Sequence, residues 1–228
     1  MRDRLIWLSL GTAAALVTGL IVLVVAVGGD SGGRASASGP IVSVDDPRLS
    51  EAQRRRATDL VEHTRRALTK FPDEATVLAA GYRSIVKDGV TNASAGLVEH
   101  FFHAEYLADG RELDPERIES LLTEQQPDGS KVVVAGMYIL EPSATMADVP
   151  DIAGELTQWH DHRNLCWDES GTVVEGYLLE GKCVPGGTLR ATPPMMHVWL
   201  TSTPCGPFAG IEGHGETCPE PDGSHGHG

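Results

Sequence analysis

An unbroken run of 23 uncharged residues, Leu5 to Val27, constrains this chain more than any other feature. It contains Leu20-Ile21-Val22-Leu23-Val24-Val25, and roughly 20 apolar residues are enough for a helix to cross a bilayer. Arg2 and Arg4 precede the run. The positive-inside rule counts Lys and Arg, so it places the N-terminus in the cytoplasm and the rest of the chain outside. A cleaved signal peptide is the alternative, with Ala35-Ser36-Ala37 as a small-residue cleavage site near Ala37. That site lies well beyond the end of an apolar run that is itself long for a signal core, so a single-pass anchor over residues 1–27 is the expectation. Both readings make residues 40–228 extracytoplasmic. Gly28 to Pro40 (GGDSGGRASASGP) is too polar and too flexible to pack, and residues 28–49 are expected to be a linker.

The four cysteines agree with export. Cys166, Cys183, Cys205 and Cys218 all lie in the last 63 residues and form no CxxC pair, which argues against a zinc ribbon or a thioredoxin-type site. An even count in an oxidising compartment favours two disulfides. Three connectivities exist. Cys166–Cys183 with Cys205–Cys218 is preferred, because each bond closes a short Gly-rich loop. Charge removes another class of partner. With 18 Lys+Arg against 32 Asp+Glu, the net charge of −14 is the wrong sign for nucleic-acid binding.

Local patterns predict helices first and strands later. Ser50 with Gln53 forms a capping box. Leu60, Val61, Thr64, Ala67, Leu68 and Phe71 then recur at helical spacing over residues 50–71. Further helices are expected over 73–85, 97–107 and 114–122, the last started by Asp114-Pro115. Strands are expected over 132–140, 157–162, 172–179 and 195–202. This order gives an α+β fold: a helical segment followed by a mostly antiparallel sheet or barrel-like domain over residues 50–205. Residues 206–228 read as a disordered tail carrying His214, His225 and His227.

The histidines carry the candidate chemistry. His160 and His162 are two apart in Gln158-Trp159-His160-Asp161-His162, and in a strand i and i+2 share a face. His197 sits in a second apolar strand. His100 and His103 are i, i+3 and would share one face of the expected helix over 97–107. Two buried imidazoles on one face lack partners unless a metal or a carboxylate is present. His160, His162, His197 and His100 are therefore candidate ligands of one divalent transition metal, Zn, Cu or Fe, with His103 as a further candidate. Glu99 and Glu105 are possible extra ligands or bases. His63, among Arg and Glu on the first helix, reads as solvated. No G-x-S-x-G, HExxH, Walker A or dinucleotide-binding fingerprint occurs.

Two resemblances follow from these motifs. Gly154, five residues, then His160-x-His162, with His197 35 residues later, resembles the metal motif of the cupins. The cupin Glu is missing, because Asn164-Leu165-Cys166 follows and the first Glu is Glu169. A closer resemblance rests on Trp159-His160-Asp161-His162-Arg163-Asn164-Leu165-Cys166, Met196-His197-Val198-Trp199 and Pro204-Cys205-Gly206-Pro207-Phe208-Ala209. Pro193, Gly136-Met137-Tyr138, Glu99-His100 and Asp114-Pro115-Glu116 add to it. Over roughly residues 80–210 the chain resembles an exported actinobacterial family that carries no assigned activity. The resemblance implies an extracytoplasmic or membrane-attached protein from a high-GC actinobacterium. Three roles are in view: an anchored metal-binding protein, a metalloenzyme with an open coordination position, and an envelope interaction module without metal.

Overall fold

The computed structural model describes residues 39–85, 98–210 and Cys218. The expected membrane segment, the first half of the linker and most of the His-bearing tail lie outside the described residues. Among the described residues no helix is long and apolar enough to cross a membrane.

Helix α1 (Glu51–Leu68) begins where the capping box places it. The Ser50 hydroxyl accepts from the Gln53 N–H at 3.2 Å, and the Gln53 side-chain oxygen accepts from the Ser50 N–H at 2.9 Å. The expected apolar face is the buried one: Ala57, Leu60, Val61, Thr64, Ala67 and Leu68. The helix stops short of residue 71. The N–H groups of Thr69, Lys70 and Phe71 turn to carbonyls three residues back, which tightens the chain ahead of Pro72. Helix α2 (Glu74–Ala79) is capped by Asp73, whose carboxylate accepts from the Thr76 N–H at 2.9 Å. It ends six residues before the expected 85. Gly81, at φ +101°, turns the chain out of the helix and into strand β1 (Arg83–Ser84).

The expected helices over 97–107 and 114–122 are corrected to strands. Val98–Phe102 is β2, followed by one 3-10 turn at Tyr106–Ala108. Asp114 caps a single turn, accepting from the Glu116 N–H at 3.0 Å, and the chain then extends into β3 (Ser120–Gln125). Strands β2 and β3 pair antiparallel over five residues, so cross-strand pairing outweighs a local pattern that also suits a helix. Strand β4 (Lys131–Ile139) lies where expected, as do β6 (Val174–Leu179) and β9 (Met195–Trp199). Short strands β5 (Leu165–Trp167), β7 (Lys182–Val184) and β8 (Thr188–Leu189) complete the set.

The class is α+β. One sheet runs β1-β2-β3-β4-β9 and the other β7-β6-β5-β8, with every pairing antiparallel, and the strands form a half-barrel. Helix α1 covers one face of the five-stranded sheet. Its Leu60, Val61 and Leu68 pack with Phe101, Leu121, Tyr138, Met196 and Val198 from the strands. Each such fully buried side chain contributes about 2 kcal/mol. Inside this layer Thr64 and Tyr138 share a buried hydroxyl hydrogen bond of 2.6 Å. Gly136 lets the helix approach, since a Cβ there would sit 3.2 Å from Ile118 and 3.4 Å from Thr64.

The domain reaches further at both ends than 50–205. Ile41 and Leu49, expected in the linker, are buried in the α1 core. Phe208 and Ala209, expected in the tail, are fully buried. Short apolar side chains inside Gly/Pro-rich sequence still enter a core when a folded surface is adjacent. Both preferred disulfides are present, Cys166–Cys183 and Cys205–Cys218, with Cα–Cα separations of 5.8 and 4.9 Å.

Gly206 tests the C-terminal extension. It has φ +82°, and a Cβ there would strike the Val42 carbonyl. Gly206→Ala should cost about 3 kcal/mol in urea unfolding, against about 1 kcal/mol for Gly181→Ala, which shares the positive φ but has open space around it. Glu119 supplies a second test. Its carboxyl is buried and accepts from the Ile139 N–H at 3.3 Å, and burial pushes its pKa up to about 8. The folded state then holds a proton that the unfolded chain has lost above about 4.5. Glu119 therefore makes stability fall as pH rises from about 4.5 to about 8. Glu119→Gln should remove this slope, measured as the urea midpoint between about pH 6.5 and pH 8.

Candidate metal centre

Alternation along β9 separates two environments. Met196 and Val198 point into the α1 core. Met195, His197 and Trp199 point to the other face of the sheet. The β4 register places Ile139, Met137 and Ala135 directly opposite these three. The face continues through Leu122, opposite Ala135, to His100, opposite Leu122.

His100 and His197 are separated by β3 and β4. Three strand spacings on a flat sheet would part them by about 14 Å. Their ring centroids are 6.0 Å apart. The sheet has therefore curled toward this face, and the register shift between Leu122 and Thr123 supplies a local bend. Small residues on the inner rows, Ala135 and Ser120, leave room for the rings.

The other two imidazoles come from outside the sheet. The expected strand over 157–162 is corrected: a 3-10 turn at Gly154–Leu156 and a tight Trp159 N–H to Thr157 O bond of 3.1 Å break it. Only His160 pairs, in a bridge to Met195, with N–H···O distances of 3.0 and 2.8 Å. His162 is held by its N–H to the Thr192 hydroxyl at 2.8 Å. This clamp sets the His160 ring 5.0 Å from His197 and 5.4 Å from His162. His160 Nδ1 lies 3.2 Å from the Gln158 carbonyl, so Nδ1 carries the proton and Nε2 presents the lone pair. A backbone carbonyl on the outer nitrogen is the usual way a ligating imidazole is oriented.

His103 is not in the cluster. On β2, His100 and Phe102 share one face, and the alternation sends His103 to the other. There it stacks on Tyr106 at 3.7 Å and meets the edge of Tyr82 at 5.0 Å. Glu99 also faces away, in an ion pair with Lys131 at 2.7 Å, and Glu105 is exposed. His63 is exposed on α1, as expected. His214, His225 and His227 lie outside the described residues.

Burial keeps two rings of the cluster, His100 and His197, neutral. Burial lowers the His100 pKa to about 3, and the His162 and His160 rings add to it. Burial likewise puts His197 well below the ordinary value, with His160, His100 and His162 contributing. His197 is fully buried, and neither of its ring nitrogens closes a hydrogen bond among the described residues; the nearby Ala209 carbonyl, which accepts from the Trp199 indole, only offsets part of the downward shift. Burying such a group without a partner costs about 1–3 kcal/mol.

The spacing suits a shared ion, while the ring orientations do not yet. Imidazoles on one tetrahedral ion, with nitrogens about 2 Å from it, have centroids roughly 5 Å apart. The observed separations run from 5.0 to 6.0 Å. As they stand, no three His, Cys, Asp or Glu side chains among the described residues are arranged to hold a metal ion. Ring rotation about the side-chain torsions is the adjustment required.

Four further residues that the sequence reading left out of the site line its face: Met137, Met195, Trp199 and Ser120. The signal was available. Met137 belongs to a strand whose alternate residues are apolar, and Met195 precedes His197 by two. Choosing which alternate set faces the imidazoles required the β4–β9 register.

The depressed histidines predict acid lability of the metal-free protein. The unfolded chain takes up protons below about 6.5, whereas folded His100 does so only near 3. Stability should therefore fall as pH drops from about 6.5 toward 3. His100→Phe should flatten this slope, measured by thermal unfolding in chelator across that range. The chain matches no protein-family model, no curated protein and no solved structure.

Proposed function

We propose that this chain is a membrane-anchored extracytoplasmic protein that binds one transition-metal ion through His100, His160, His162 and His197. The observation that carries the reading is the buried His197 ring, both of whose nitrogens lack a hydrogen-bond partner among the described residues. His100 from β2 and His160 from the loop stand 6.0 and 5.0 Å from it, and His162 stands 5.4 Å from His160. Natural cores rarely leave a buried polar ring in that state, and a metal supplies what the ring lacks. Burial holds the His100 and His197 rings in the neutral form, which is the form that ligates.

Export rests on the Leu5–Val27 run and on the two disulfides, which form in oxidising compartments. The role favoured is retention of the ion rather than hydrolysis. The carboxylates nearest in sequence are engaged elsewhere: Asp161 pairs with Arg163 at 3.2 Å and Glu99 with Lys131 at 2.7 Å. Neither is aimed at the cluster as a base for a bound water.

Elemental analysis of the untagged full chain in detergent tests the proposal. About one equivalent of Zn, Cu, Fe or Ni is expected, falling at least fivefold in His160→Ala/His162→Ala. His225→Ala/His227→Ala should leave the stoichiometry unchanged. A folded protein that takes up none of these ions when each is offered would overturn the metal reading and favour an envelope interaction module.

A further inference from the structure

The face that carries His197 also carries two thioethers. Met137 is the direct cross-strand partner of His197, so their Cβ atoms stand about 5 Å apart. Met195 precedes His197 by two on the same strand and faces the same way. Both methionines are buried, at 1% and 3% exposure. His160 closes over Met195 through its paired backbone bridge. Sulfur and imidazole nitrogen donors thus share one face of the curled sheet.

We propose that the ion held here is monovalent copper, Cu(I), bound by imidazoles of the cluster together with the Met137 and Met195 thioethers. This rests on the metal reading above and names its ion. Three arguments lead to it. The first is donor softness: thioether sulfur selects Cu(I) among the available first-row ions, while carboxylate and water suit harder ones. The second is charge. The carboxylates nearest the cluster in sequence, Asp161 and Glu99, are paired with Arg163 and Lys131, which leaves imidazole and thioether as the donors on this face. The desolvation cost of an ion grows with the square of its charge, so a buried dication in neutral donors costs about four times what a monocation does.

The third argument is the dry wall around the donors. Trp199 stands 5.5 Å from His197, fixed by its indole N–H to the Ala209 carbonyl at 2.7 Å. Phe102 stacks on His100 at 6.4 Å. Leu122, Ala135 and Ile139 fill the remaining rows of the face. Such a wall withholds the water ligands that a divalent ion ordinarily keeps, and Cu(I) is satisfied by few, soft ligands.

Buried methionine also serves simply to fill space, and the experiment separates the two roles. The untagged full chain, stripped of metal, is titrated anaerobically with Cu(I) against a chromophoric Cu(I) chelator, and separately with Zn(II). One equivalent of Cu(I) is expected, bound at least about 1000-fold more tightly than Zn(II). Met137→Leu/Met195→Leu conserves volume and should fold normally by circular dichroism. It should weaken Cu(I) about 100-fold and leave Zn(II) within threefold. X-ray absorption on the wild-type copper form should show sulfur as well as nitrogen neighbours, which keeps the test open if the double variant misfolds.

Zn(II) bound more tightly than Cu(I), or a copper form with nitrogen neighbours alone, overturns the copper inference and leaves the metal reading standing. Failure to bind either ion overturns both.

Discussion

The antiparallel pairing of β4 with β9 is the constraint on which the rest depends. It fixes which alternate residues of β9 meet helix α1 and which meet the other face. A slip by one residue would drive His197 into the α1 core and expose Met196 and Val198 on the far side. The burial of Leu60, Val61 and Leu68 against that core therefore also positions the imidazole on the opposite face. Stability and site geometry come from the same register.

Curvature does the second part. A flat sheet with this pairing would leave His100 and His197 about 14 Å apart across three strand spacings. The half-barrel brings them within one coordination sphere's reach, at 6.0 Å between centroids. The loop carrying His160 and His162 then closes over the concave side through a single bridge to Met195 and a Thr192 hydroxyl contact. The result is a cluster of like bases, two of them in a dehydrated setting. Protonating His100 or His197 is opposed by burial and by the neighbouring imidazoles, so both are displaced downward. That arrangement is costly for the polypeptide alone and suited to a cation supplied from outside.

Helix α1 was legible because everything needed to define it is local: a capping box, a periodic apolar face and a proline stop. The strands β4, β6 and β9 were legible for a similar reason, as β-rich runs bounded by turns. The disulfides followed from short Gly-rich loops and compartment chemistry. Residues 98–102 and 120–125 misled because Leu, Phe, His and Glu serve a helix and a strand almost equally. Their conformation is decided by pairing with each other. His103 misled for the same reason: a helical face would have joined it to His100, whereas a strand sends it to the opposite side, onto Tyr106.

By itself the sequence determined an apolar N-terminal run of membrane-spanning length, an acidic chain unsuited to nucleic acid, an even cysteine count with one preferred pairing of three, and the His160-x-His162 pair. These depend on neighbours along the chain, on overall composition or on loop lengths. Tertiary structure decided that His100 joins that pair and His103 does not, that Met137 and Met195 line the same face, and that residues near Ile41 and Phe208 belong to the core. Each of those outcomes is set by the register and curl of strands far apart in the chain. No local spacing encodes them, because a one-residue change of register reverses every side chain it touches.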